Sequence, residues 1–433
     1  MDELQENGWM KNSDHARTLL LLTYHFPPSA AVAVYRMLGL ACHLPRFGWN
    51  VVVVAPPGMP GEPVDPALLE RLPAETLVQR VPFRRGFLGK VARRIAGNLA
   101  WAPAALAACR DIIARRSPDA VLTSGPPHCV HLLGMRLRRR YGIPWAADLR
   151  DPWFTNKTPL PWNHPLERLM ERRMVRQADA VIANTPLSVR SFVAAYPDYA
   201  EKFESIPNGF EPDWLPPAPP RPAKPDRLTL LHAGELYSGR DPRPLLDALA
   251  GLNPSAGALP WHVTFLGRST EGIFDLRSEI SRRHLDAQVM IEDQVPYAEA
   301  TRRMMTSDAL LLVHTPGIKI GVPAKLYEYL GTGRPVLALA DPDGDIAWVL
   351  RQSGPGHHIV APGDVAGIAQ ALARLRDDWT PETQAISPWA SPFTREKMAQ
   401  RIARRLDEIV TGATVEMSEG RIEETAKEPM TIR

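Results

Sequence analysis

Lys325 and Glu328 stand three residues apart in the stretch GIKIGVPAKLYEYLGTGRP, Gly317–Pro335. On a helix that spacing puts both side chains on one face. An apolar run, Ala309–Val313, leads into the stretch, and Pro323 sits where a helix can begin, because proline's missing N–H costs nothing at a first helical position. Lys325 then falls in the first turn, beside free backbone N–H groups. A phosphate would rest against the helix dipole and this ammonium, and Glu328, one turn further in, would accept two hydrogen bonds from a ribose diol. The plainer alternative is an ordinary α/β helix carrying two solvated charges.

Three other constellations carry chemistry. After the apolar run Leu228–His232 comes AGELYSGR, Ala233–Arg240. Glycines such as Gly234, just past a strand, let the backbone approach a phosphate, and Arg240 offers a diphosphate a fork of donors. The loops SGPPHCVH, Ser124–His131, and LRDPW, Leu149–Trp153, both leave strands at the carboxyl edge of one sheet, where open α/β folds bind ligands. His128 and His131 have metal-like spacing but no third ligand nearby, so contact with a bound ligand is the reading preferred. Asp151 either orients that ligand or pairs with an arginine inside its own loop. The run DPDGD, Asp341–Asp345, is similar to a metal-binding aspartate pair and to half a calcium loop. It lacks the bidentate glutamate a calcium loop needs, and reads as a turn capping the helix Ile346–Gln352.

The elements that must position these groups follow from the apolar pattern. Thr18–Thr23 is continuously apolar, as a strand buried on both faces must be. YHFPPS breaks it, a helix follows over 30–44, and Val51–Val54 is the next strand: the opening of a Rossmann-like domain. SAAVA stands where dinucleotide binders carry their glycines, which argues against a dehydrogenase. Strands are expected at 119–123, 144–148, 178–184 and 203–207, with a helix at 132–141. Seven prolines between Pro212 and Pro225 mark a stiff linker over 212–227. A second set of strands, 228–232, 261–267, 288–291, 308–313 and 335–340, repeats the rhythm, with a helix over 242–250. Phe393, Met398, Ile402, Leu406 and Ile409 share one face of a helix over 391–410. The expected organisation is a flexible 1–17, a first domain 18–211, the linker, a second domain 228–390, the helix 391–410 and a disordered 411–433.

The 433 residues suffice for two or three cores, and 45% hydrophobic with 23% charged content is that of an ordinary globular protein. A net charge of +3 gives no argument for a nucleic-acid partner. Cys42, Cys109 and Cys129 are odd in number and suggest reduced thiols. Without a signal-peptide pattern or a run long enough to span a bilayer, the chain is expected in the cytoplasm. The segment 80–116, with Arg84, Arg85, Lys90, Arg93 and Arg94 among Phe83, Phe87, Leu88, Val91 and Ile95, is either a solvated helix face beside a core stripe or a basic amphipathic surface resting on anionic lipid.

KLYEYLGTGRP, Lys325–Pro335, resembles the donor-site signature of the retaining, nucleotide-sugar-dependent glycosyltransferases of family four, which have the GT-B fold. YHFPP with Arg36 and LPRFGW, then SGPPHCVH, then IPWAADLRDPW, are similar to a bacterial branch of the same family, and the likeness spans most of residues 18 to 410. It implies two Rossmann-like α/β domains facing across a cleft, with the last helix crossing back to the first domain. It implies a donor site of Gly234, Glu235, Arg240, Val295, Lys325, Leu326 and Glu328, Val295 lying in the loop where the family seats the nucleobase. Tyr24, Arg36, His128, His131, Arg150 and Asp151 would bind the acceptor, and Arg240, Lys325 and Asp151 would act in catalysis, with no metal and no cofactor beyond the donor. Four positions depart from the family: Ile320 replaces a common second glutamate, Arg150 a common histidine, and Ala31 and Ala33 common glycines. Sugar recognition then falls to backbone groups of His314–Gly321, and donor identity stays open. The implied function is transfer of a sugar from a nucleotide-diphospho-sugar to a glycan or lipid-linked acceptor with retention, in cell-surface polysaccharide or glycoconjugate synthesis at the inner face of a bacterial membrane. Rival readings are a nucleotide-sugar epimerase of the same fold and a non-catalytic sugar-nucleotide-binding scaffold protein.

Overall fold

The computed structural model describes residues 16–58, 62, 64–83, 97–155, 164–217, 226–237, 239–252, 261–268, 274–380 and 388–412. Most of the expected flexible N-terminus, most of the proline-rich linker, most of the expected disordered tail and the basic run 84–96 lie outside these residues, while Thr411 ends the last helix. The chain divides into two compact units, one formed by Met1–Pro207 with Arg395–Arg433 and the other by Asn208–Thr394.

In the first unit the elements run β1 Arg17–Thr23, α1 Val34–His43, β2 Trp49–Ala55, α2 Ala67–Glu70, β3 Leu77–Arg80, α3 Ala102–Arg116, β4 Ala120–Gly125, α4 Cys129–Tyr141, β5 Trp145–Leu149, α5 His164–Gln177, β6 Ala180–Ala183, α6 Pro186–Ala195 and β7 Phe203–Ser205. The sheet is wholly parallel in the order β3-β2-β1-β4-β5-β6-β7. Strand β1 is unbrokenly apolar because both faces are covered. Leu20 and Leu22 enter a core with α3, α4 and α5, while Leu19 and Leu21 enter a core with α1 and the final helix, and all four are 0% exposed. Each such leucine contributes about 2 kcal/mol by burial.

The second unit runs β8 Leu228–Ala233, α7 Arg243–Gly251, β9 Trp261–Leu266, α8 Leu276–Arg282, β10 Val289–Glu292, α9 Tyr297–Thr306, β11 Ala309–Val313, α10 Ala324–Gly331, β12 Val336–Leu339, α11 Asp345–Gln352, β13 His358–Val360 and α12 Val365–Asp377. Its sheet, also parallel, has the order β10-β9-β8-β11-β12-β13. Helix α13, Arg395–Thr411, belongs to the first unit. Met398, Ala399, Ile402, Ala403 and Leu406 pack beside α1, and Asp407 takes hydrogen bonds from Arg17 and from Trp49 Nε1. The expected crossing-back of the last helix is thus present.

Every strand expected from an apolar run is found. Strands β3 and β13 were not anticipated, since both lie at sheet edges and are only partly buried, so their sequences carry no continuous apolar signal. In each unit the strand order reverses beside the first strand, between β1 and β4 and between β8 and β11. Loops leaving those strands diverge and open a crevice at their carboxyl ends. The candidate residues lie on these loops.

Candidate functional site

Around the β8 and β11 carboxyl ends the structure gathers Lys325, Gly234, Arg240 and His232. Lys325 is the second residue of α10. Pro323 is the cap preceding that helix rather than its first residue, in extended conformation at φ −59° and ψ 135°. The Lys325 ammonium lies 3.4 Å from Nε2 of His232, which is fully buried on β8, while His232 Nδ1 is 3.0 Å from the Leu311 carbonyl on β11. Enclosure of the ammonium, aided by the nearby Arg240 charge and opposed by Glu235, pulls the lysine down to about 7.

Gly234 serves this lysine. Its φ is +127°, and a Cβ built there would stand 2.6 Å from Lys325 Nζ. Its own N–H is already donated to the Leu266 carbonyl at 2.8 Å. The glycine therefore makes room for a cation instead of offering its amide to a phosphate. Arg240 stacks its guanidinium 4.1 Å over the Tyr237 ring, donates to Tyr237 Oη at 3.1 Å and reaches the Glu235 carbonyl at 3.3 Å. Among the described residues no carboxylate forms an ion pair with Lys325 or Arg240. Glu235 is exposed and contributes its carbonyl to Arg240.

Glu328 shares the α10 face with Lys325 as its spacing requires, and accepts a hydrogen bond from Tyr297 Oη at 2.7 Å. Tyr297 opens α9, immediately after the loop containing Val295, which packs partly buried on the same apolar cluster as Leu326. Leu326 itself is a correction: the side chain is 0% exposed and its N–H is donated to Pro323, so it anchors α10 in the core. Behind Lys325, Tyr329 is wholly buried, and its hydroxyl accepts from the Ala233 N–H at 2.9 Å, tying α10 to β8. The His314–Gly321 loop is fixed from the other side by Asp345, which accepts the Gly321 N–H at 2.9 Å. DPDGD is a turn, but no side chain caps α11; Gly344 is the cap, and Asp341 receives the Asp343 N–H instead.

Most of the expected acceptor residues of the first unit prove to be interior groups. Arg36, 4% exposed, donates to both oxygens of Asp148 at 3.1 and 2.7 Å and to the carbonyls of Ile206 and Pro207. It is a structural clasp at the sheet's carboxyl edge. Tyr24, 5% exposed, packs edge-on to Trp101 and donates to Asn98. His131 is 0% exposed and takes Thr123 Oγ1 at 2.8 Å; burial and Arg150 pull it down to about 3, so it is neutral. Arg150, 8% exposed, holds the carbonyls of Gly125 and Pro126 and so braces the SGPP loop rather than facing ligand. His128 stacks on Trp153 with ring centroids 5.2 Å apart, partly exposed, and Asp151 is exposed. Those two remain open to solvent. Among the described residues no group of three His, Cys, Asp or Glu is placed to hold a metal.

His232, Tyr297, Tyr329 and Asp345 were not anticipated. A histidine in an apolar strand reads as core, and the other three reach the site from neighbouring elements, or from an element's far side, with no local motif.

Residues 33–209 match the family described as glycosyl transferase 4-like domain. No curated protein matches the chain. Among solved structures, sucrose-phosphate synthase from Thermosynechococcus elongatus is 14% identical with a TM-score of 0.63, covering 92% of this chain and 100% of that one. The HepE protein of Anabaena in complex with UDP and glucose is 18% identical, TM-score 0.63, covering 90% and 100%. A glycosyltransferase from Rickettsia africae is 14% identical, TM-score 0.66, covering 92% and 99%. With its two parallel Rossmann-like sheets, the chain has the GT-B fold. The family match covers residues 33–209, and the likeness to these solved structures is one of fold.

Proposed function

We propose that this protein is a retaining, metal-independent hexosyltransferase that moves a sugar from a nucleotide-diphospho-sugar to a glycan or lipid-linked acceptor. The observation that carries the reading is the pair of cations Lys325 and Arg240, without an ion-paired carboxylate among the described residues, at the β8/β11 switch point, with Glu328 one turn along the same helix face. The diphosphate lies against Lys325 and Arg240, the ribose hydroxyls donate to Glu328, and the base rests near Val295. Backbone groups of His314–Gly321, ordered by Asp345, meet the sugar in place of the glutamate that Ile320 replaces. As the bond from the anomeric carbon to the diphosphate breaks, negative charge develops where the two cations are aimed. The acceptor hydroxyl attacks from the face the diphosphate leaves and yields its proton to the departing phosphate, and Asp151 and His128 are the first unit's groups for binding the acceptor. That UDP and glucose accompany one structural neighbour suits this donor chemistry.

A lipid-linked acceptor, in surface polysaccharide or glycoconjugate synthesis, fits a basic layer on the first unit. Helices α3, α4 and α5 cover one face of the sheet and hold eleven arginines against three carboxylates. A groove of about 300 Å³ between α3 and α4 has Leu106, Ala107 and Leu137 in its lining and is flanked by Arg110, Arg136 and Arg140. Anionic headgroups suit the rim and acyl chains the floor. Among the described residues no helix is long and apolar enough to cross a membrane.

A thermal-shift titration with UDP, GDP, dTDP and NAD, each with and without chelator, tests the donor reading, because a ligand that binds only the folded state raises the melting temperature. One nucleoside diphosphate stabilises the wild type, and Lys325→Ala and Glu328→Ala each abolish the shift. Stabilisation by NAD alone, or equal shifts in both variants, overturns it; binding without turnover on any acceptor favours the scaffold reading, and turnover without an acceptor an epimerase.

A further inference from the structure

We propose that His232 is a positioning residue for the anion site: a neutral imidazole that holds the Lys325 ammonium by its Nε2 lone pair without forming an ion pair with it, so that its charge stays available to an incoming diphosphate. The inference rests on the reading of Lys325 as a diphosphate-binding group and adds the element that aims it.

The tautomer follows from the partners. A carbonyl only accepts, so the 3.0 Å contact between His232 Nδ1 and the Leu311 carbonyl puts the imidazole proton on Nδ1. Nε2 is then a lone pair, 3.4 Å from Lys325 Nζ, and the ammonium donates to it. Burial, Lys325 and Arg240 together hold His232 well below the ordinary histidine value, against the opposing backbone groups of Leu311 and Gly234, so it does not compete for the proton.

A carboxylate at this position would neutralise the lysine and repel a diphosphate. An apolar residue would give the ammonium no inward acceptor, and its flexible stem would lose a contact that fixes its direction. A neutral acceptor does neither. Gly234 completes the device, since any Cβ there would press on Nζ.

The device makes diphosphate binding pH-dependent. The groups facing Lys325 are His232 from β8, Glu235 and Arg240 from the loop after it, Tyr329 on its own helix and, near Arg240, His314 from the end of β11. His314 is pulled down to about 4 by burial and Arg240, and Tyr329 is pushed up by burial, so neither changes charge between pH 6 and 8. Lys325, at about 7, does. An arriving diphosphate favours the ammonium, so binding above pH 7 takes up a proton and weakens as pH rises, tenfold per unit at the limit.

Calorimetry with UDP, GDP and inorganic pyrophosphate from pH 6 to 9, on wild type, His232→Phe and His232→Gln, tests this alongside NMR of histidine- and lysine-labelled free protein. The wild type is expected to show Nδ1-protonated His232, a lysine titrating near pH 7, and anion affinity that falls above it with proton uptake. His232→Phe, verified as folded by its melting transition, is expected to bind at least tenfold more weakly at pH 6 and to shift the lysine titration lower; His232→Gln, whose amide oxygen accepts, recovers most of both. An unchanged affinity and pH profile in His232→Phe, or a protonated Nε2 in the wild type, overturns the proposal. If the wild type binds none of the three probes, the diphosphate reading fails on its own, and an unmoved lysine titration in His232→Phe separately decides against the positioning role.

Discussion

Arg36 and Asp148 meet inside the first unit with nearly all of their hydrogen-bonding capacity used. Breaking such a pair leaves one buried charge uncompensated. Asp148→Ala should therefore destabilise by about 3–5 kcal/mol, read from the urea midpoint, and Arg36→Met/Asp148→Leu should recover most of that loss. Lys325 runs the other way. Its value of about 7 lies below the roughly 10.4 of an unfolded lysine, so between those limits the unfolded chain binds more protons and stability rises with pH. Lys325→Met should raise the melting temperature at pH 6, with the gain fading by pH 10. A loss of stability at pH 6 would mean that the ammonium is not strained. At this scale the shared helix face of Lys325 and Glu328 was legible, because residues three apart on a helix are neighbours. Arg36 and Arg150 were legible as charged residues near a loop but not as interior clasps, because nothing local reveals that Asp148 or the Gly125 carbonyl will be their partner.

Strand β8 with its glycine turn, and α10 with its two site residues, are rigid pieces whose junction depends on backbone shape. Gly234→Ala adds a Cβ 2.6 Å from Lys325 Nζ at φ +127°. It should cost about 1–3 kcal/mol of stability and also abolish the nucleoside-diphosphate thermal shift, since the lysine end must move. Gly142→Ala, also at positive φ but with open space around it, is the control. It should cost about 1–2 kcal/mol and leave nucleotide binding untouched. Equal nucleotide binding by Gly234→Ala and wild type would separate this glycine from the site. Elements buried on both faces were legible as apolar runs. The helix α5 was not, because HPLERLMERRMVRQ is dominated by charge and its core contribution is limited to Met174 and Val175, with Met170 packed alongside. The edge strands β3 and β13 were hidden for the complementary reason of too little burial.

Over the whole molecule a formal charge of +3 conceals an uneven distribution, since the α3–α4–α5 layer alone has eight more positive than negative side chains. Net charge was thus a poor guide to partners. Vesicles containing phosphatidylglycerol should bind the protein at low salt and release it as salt screens the contact, while phosphatidylcholine vesicles should not bind. Arg136→Glu/Arg140→Glu should weaken that binding at least tenfold without altering the melting temperature by more than a few degrees. Equal binding to both lipids, or none to either, would leave the basic layer a solvated face.

The most direct test of the account is a crystal structure of the protein with the nucleoside diphosphate that stabilises it best. The account predicts the diphosphate in hydrogen-bond reach of Lys325 Nζ and the Arg240 guanidinium, and the ribose hydroxyls on Glu328. A nucleotide seated elsewhere, with Lys325 still beside His232 and Glu328 still bonded to Tyr297, would contradict it.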